Sequence, residues 1–150
     1  MSPHPERGST LLLFPSALLI VMALASIAVD SAIGFMAQRE LVNATAAAAN
    51  DVATQAISEN SFYRNDRIEL SEDAVEEMAV GRVLALIDPG KHHNLVVEAE
   101  AVGLGCDWTV TVTAFSRVDE LFGRVMPGSD GLIAVRASSA ASPRQTTGSC

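Results

Sequence analysis

Residues Leu11 to Val29 read LLLFPSALLIVMALASIAV, nineteen positions without a charge, led in by Arg7-Gly8-Ser9 and closed by Asp30. As a helix rising ~1.5 Å per residue the run is about 28 Å long, close to the ~30 Å of hydrocarbon that a single spanning helix crosses. It predicts a membrane anchor over 11–29. Pro15, Ser16 and Ser26 interrupt the run, yet a spanning helix tolerates them because lipid keeps backbone hydrogen bonding within the segment. The short lead, 1–10, sets Arg7 and the amino terminus against Glu6, a slight positive bias that fits a cytoplasmic N-terminus and an extracytoplasmic body. A rival reading is a cleaved secretory signal, with Ala23-Leu24-Ala25 before Ser26 as the small-x-small site. The run is longer than the usual h-region of about 7–15 residues, which favours a retained helix.

Some 120 residues follow, enough for one modest domain, expected over 30–139, and not for two. From Asp30 onward 17 acidic residues stand against 9 basic ones. Phosphate backbones require a basic face, so nucleic acid is excluded as a partner. Cys106 and Cys150 leave two readings open. They form a disulfide that pins the tail to the sheet outside the cytoplasm, or they are one semi-buried and one terminal thiol. Two cysteines alone do not make a four-ligand zinc site.

Beyond Asp30 the residues to about Ser58 are rich in Ala, Gln, Glu, Arg and Leu, which favour helix, so one helix is expected from about Leu11 to Ser58. Gly34 is its weakest point. Phe35, Val42, Ala46, Ala49, Ala53 and Ile57 recur at helical spacing and predict a seam of small side chains. It packs on the domain's own sheet or on another helix. Glu59 to Asp66 reads as a polar connector whose Phe62-Tyr63 drop onto the core. Ser71 followed by Glu72 and Asp73 is a helix start, and Asp88-Pro89-Gly90 a stop, so a second helix is expected over about 71–87 with Val75, Met78, Ala79, Val83 and Leu86 inward.

The period then changes to two. Leu95, Val97, Ala99 and Ala101 alternate with Val96, Glu98, Glu100 and Val102, and Trp108, Val110, Val112 and Ala114 with Thr109, Thr111, Thr113 and Phe115. Gly103-Leu104-Gly105 turns one run into the other as an antiparallel hairpin. A short amphipathic piece, Val118 to Val125, and a Pro127-Gly128 turn lead to a third strand carrying Ile133, Val135 and Ala137 on one face. Strands are expected at about 95–102, 107–115 and 131–138, followed by a flexible tail over 140–150. The fold class is α+β: a long N-terminal helix, a second helix, and a small three-stranded antiparallel sheet.

Candidate chemistry is sparse. His92 and His93 are adjacent, diverge in an extended segment, and read as loop residues. Glu98 and Glu100 share a strand face about 7 Å apart, the ordinary way to keep a sheet surface wet. Glu72, Asp73, Glu76 and Glu77 lack the Asp-x-Asp-x-Asp-Gly spacing of a calcium loop. Neither Gly81 nor Gly103-Leu104-Gly105 matches a phosphate loop, and Trp108 reads as a core aromatic. Asp30, just past the apolar run, marks the membrane boundary or pairs with another group. No catalytic residue, metal site or cofactor is expected, and the chain reads as non-enzymatic.

The order of parts resembles the TadE/TadG-like group of pilin-like proteins in the tight adherence (Flp) pilus system. Carrying the resemblance are Arg7-Gly8-Ser9 with Phe14 and Pro15, then Ala28-Val29-Asp30, then Gln38 to Ala44 and the run Ala46 to Asp51. These span about the first third of the chain; the later strands agree only in kind. The resemblance implies a pilin-like fold and a processing site at Gly8-Ser9 for a prepilin peptidase. The pseudopilin branch often carries Glu five residues after that bond, whereas this chain has Leu13, as TadG-like members commonly lack the Glu. A carboxylate there is unfavourable in lipid by ~2.5–3.5 kcal/mol unless it meets a partner. The implied function is a minor pilin-like or assembly component of a Flp-type pilus or related envelope machine. Its expected partners are the membrane, other pilus or envelope proteins and a helix-mediated oligomer. A membrane-tethered binding or sensory domain, with its ligand near Trp108 or the Gly103–Gly105 turn, is the alternative.

Overall fold

A computed structural model describes residues 9–55, 72–104, 107–125 and 128–143. The chain is α+β. Helix α1 spans Ser9–Gln55, 47 residues without a break, and α2 spans Glu72–Leu86. Strands β1 (His93–Leu104), β2 (Asp107–Asp119) and β3 (Leu132–Ala141) form an antiparallel sheet in the order β1-β2-β3. Both helices pack on one face of it. The outer half of α1 crosses β3 and β2, while α2 lies against α1 and over β1.

The core is built from small residues. On the helical side Ala37, Leu41, Ala44, Ala48, Ala49, Val52 and Ala53 of α1 meet Val75, Ala79 and Val83 of α2; on the sheet side stand Val110, Val112, Ala114, Val118, Val135 and Ala137. Steps of three and four put the α1 residues on one stripe, and alternation puts the strand residues on one face. Side chains this small let the helix approach the sheet closely. The approach also encloses a polar pair, since Thr45 Oγ1 lies 3.0 Å from Ser139 Oγ and bonds the Val42 carbonyl at 3.1 Å. Arg82 bridges α2 to Asp51 of α1 at 3.3 Å.

The register keeps the alternation. Val97 faces Ala114, Ala99 faces Val112, and Ala114 faces Ala137 on the inner side. Val96, Glu98, Glu100 and Val102 point away from the helices and are exposed. The β1–β2 register shifts between His93 and Val96, where Asn94 takes a φ of 51° that asparagine accommodates better than most residues.

Several boundaries differ from those expected. The buried stripe of α1 is turned from the expected seam: Leu41 is 0% exposed, whereas Val42 is 41% and Phe35 68% exposed. Ala46 is half-buried, Ala49 and Ala53 are buried, and Ile57 lies outside the described residues. Ala44 and Ala46 to Ala49 give no apolar contrast between faces, so the larger Leu41 decides which side turns inward. At the end of α2, Leu86 is exposed and Ile87 takes the buried position. Val118 is not the start of an amphipathic piece but the last buried residue of β2, and a 3-10 turn, Gly123–Val125, follows. The region expected as a tail begins in β3, with Ala140 and Ala141 paired to Thr111 and Val110 and Pro143 buried. Ser71 and the connector with Phe62-Tyr63 lie outside the described residues.

Candidate functional site

Helix α1 is long and apolar enough to cross a membrane. Among the described residues its inner half is bare: Leu13, Phe14, Leu18 to Met22, Leu24, Ile27 and Val29 are all exposed. An apolar surface of that extent on a soluble body is rare and marks an interaction with lipid or protein. The hydroxyls in the run are satisfied locally, Ser16 Oγ donating to the Leu13 carbonyl at 3.0 Å and Ser26 Oγ to the Ala23 carbonyl at 2.8 Å. Neither hydroxyl needs water, which is the condition lipid imposes on polar groups.

Asp30 ties this helix to the sheet. Its Oδ1 accepts the backbone N–H of Leu121 at 2.9 Å and of Phe122 at 3.1 Å, so the carboxylate caps the segment that leaves β2. A hollow of about 610 Å³ opens beside it, lined by Ile27, Asp30, Phe35, Gln38, Glu120 and Ile133 among others. Gln38 Nε2 donates across to the Arg136 carbonyl of β3 at 2.8 Å. Asp30 therefore does more than end an apolar run: it joins α1 to a loop some ninety residues later.

The histidines are not a pair of equivalent loop residues. His92 is buried, its Nδ1 2.8 Å from Ser116 Oγ, and its Nε2 has no hydrogen-bond partner among the described residues and stands 3.9 Å from Glu40 Oε2. Serine, histidine and glutamate in line follow the order of a hydrolytic triad, but Ser116 is fully buried, so a substrate cannot reach its Oγ. The cluster instead ties α1, the turn before β1, and β2. Glu40 Oε1 also accepts the Asp88 backbone N–H at 3.3 Å. A serine in phase with Val110, Val112, Ala114 and Val118 was the sequence signal for this buried polar contact.

His93 opens β1, and its Nε2 lies 3.0 Å from Asp119 Oδ2. Asp119 also pairs with Arg124. The His93 hydrogen bond, with help from Arg124, holds the Asp119 carboxyl below its ordinary value. The Asp88 carboxyl is likewise lowered, first by the Gly90 backbone N–H, 3.0 Å from its Oδ1, and then by Lys91.

Glu98 and Glu100 lie on the open face of the sheet, opposite Thr113 and Thr111. Glu72 and Asp73 occupy the first turn of α2, and Glu76 and Glu77 are exposed along it. Trp108 is half-buried against the core. Among the described residues, no three His, Cys, Asp or Glu gather as metal ligands. Ser9 is the first residue of α1, whereas Gly8, Cys106 and Cys150 lie outside the described residues. No family model, curated protein or solved structure matches the chain.

Proposed function

We propose that this protein is a non-enzymatic, single-pass membrane component of a Flp-type (Tad) pilus or related envelope machine. It acts as a minor pilin-like or assembly subunit with a cytoplasmic N-terminus and an extracytoplasmic domain. The observation that carries this reading is the division of α1, whose inner half is bare and apolar while its outer half forms the spine of a small α+β domain. A helix of that kind is held by lipid before assembly and by neighbouring helices after it. Prepilin peptidase, acting at Gly8-Ser9, and other pilus or envelope proteins are the partners the reading implies. Leu13 bears no charge to seek a neighbour's new amino terminus, which favours a retained or minor component over a bulk filament subunit.

Intact mass of the membrane-extracted protein tests the reading. The mature chain should begin at Met1 or Ser9; a start at Ser26 removes the anchor and sinks it. Cross-linking from positions along Leu13 to Val29 should capture pilus or envelope proteins. A tethered binding or sensory domain, the rival reading, engages its ligand without the helix.

A further inference from the structure

The exposed apolar surface of α1 continues past Asp30 through Phe35 and Met36, and the next charged residue on the helix is Arg39. From Leu11 to Asp30 the helix rises about 28 Å, so Asp30 stands at the hydrocarbon edge and Phe35 about 7 Å higher, within the headgroup layer. The segment between β2 and β3 lies at that same level, because Asp30 holds the N–H groups of Leu121 and Phe122. Among its described residues that segment exposes three large apolar side chains: Leu121 is 63%, Phe122 40% and Val125 82% exposed.

The acidic groups around it are already engaged inside the protein. Asp119 meets His93 and Arg124, Asp130 lies 3.8 Å from Arg117, Glu120 accepts from Ser129 Oγ at 3.3 Å, and Asp30 holds the two backbone donors. Between these paired groups the loop presents Leu121, Phe122 and Val125 to the outside, and the exposed Arg124, which offsets the charge of Asp119, stands beside them. Apolar side chains next to a basic one are what the boundary between headgroups and acyl chains accepts.

We propose that Leu121, Phe122 and Val125 dock on the lipid surface beside α1, giving the domain a second contact with the bilayer that the helix spans. The proposal rests on α1 being the membrane anchor, and its test separates the two. The full chain is reconstituted into phosphatidylcholine discs whose acyl chains carry bromine near the headgroup or near the methyl end. Single tryptophans are placed in a Trp108→Phe background: Leu18→Trp in the span, Phe122→Trp in the loop and Val96→Trp on the open face of the sheet. Phe122→Trp should lose roughly half its emission to bromine near the headgroup, Leu18→Trp should be quenched most by deep bromine, and Val96→Trp should be unaffected. Quenching of Leu18→Trp with Phe122→Trp as bright as Val96→Trp overturns the docking and leaves the anchor standing. If neither is quenched, both fail. If emission of Phe122→Trp responds to protein density instead of bromine, a second copy covers the loop and the proposal is wrong. Hydroxyl-radical labelling of the unmodified protein asks the same question without touching Trp108. In discs Phe122 should be as protected as Leu18 while Phe115 is labelled; labelling of Phe122 to the level of Phe115 refutes the docking.

Discussion

Replacing Leu41 by alanine should destabilise the domain far more than replacing its neighbour Val42. Leu41 is fully enclosed between α1 and the rest of the core, and the change deletes three carbons there. At ~0.8 kcal/mol per buried methylene the transfer loss is about 2.4 kcal/mol, and the cavity left behind raises it to about 3–4 kcal/mol. For a domain of this size that lowers Tm by on the order of 10 °C. Val42 is 41% exposed, and exchanging a β-branched residue for the best helix former returns about half a kcal/mol, so Val42→Ala should cost less than about 1 kcal/mol. Urea unfolding in detergent micelles, followed by the emission of Trp108, the one tryptophan, measures both. A Val42→Ala loss equal to or larger than that of Leu41→Ala refutes the orientation of α1 on the sheet.

Further outcomes follow from single sites. Gly81 lies within α2 with open space where a Cβ would stand, so Gly81→Ala should raise stability by about 1 kcal/mol in the same urea titration. Gly131 has a φ of +69°, a Cβ built there would collide with Arg124 Cγ, and its carbonyl accepts the Glu120 N–H at 2.9 Å. Gly131→Ala should therefore lower stability by about 1–2 kcal/mol, read as a lower urea midpoint. The folded Asp119 carboxyl is held below its ordinary value of 3.8, so its contribution is present above that value and is lost as pH falls through the lower folded one. Asp119→Asn should flatten the acid limb of a stability profile below a pH of about 4.

Most of the architecture was legible because the period of apolar residues changes cleanly, from the unbroken run of 11–29 to the alternation of Leu95 to Ala101 and of Val110 to Ala114. What escaped has physical causes. Alanine is equally content inside and outside, so the Ala-rich stretch after Asn43 does not reveal its phase, and the stripe through Leu41 was displaced to Val42. Ala140 and Ala141 resemble a loose end in composition, yet pairing with Thr111 and Val110 draws them into β3. The contact of Asp30 with Leu121 and Phe122 joins residues that no local pattern relates. Polar and next to the Asp88-Pro89-Gly90 stop, His92 and His93 both read as loop residues, but the turn into β1 buries one and leaves the other at the surface.

The unbroken course of α1 fixes orientation as well as reach. At ~1.5 Å per residue its 47 residues make a rod of roughly 70 Å with no joint between the apolar end and the end bearing the sheet. Rotation of the inner end about its axis is thus passed directly to the domain, and a neighbour that grips Leu18 or Met22 also selects which way the open sheet face looks. One residue inserted after Val29 would turn that face by about 100°, whereas a seven-residue insertion would nearly restore its heading and lift the domain by about 10 Å. The sequence between the span and the sheet thereby sets a compass bearing, encoded only in the number of residues it contains.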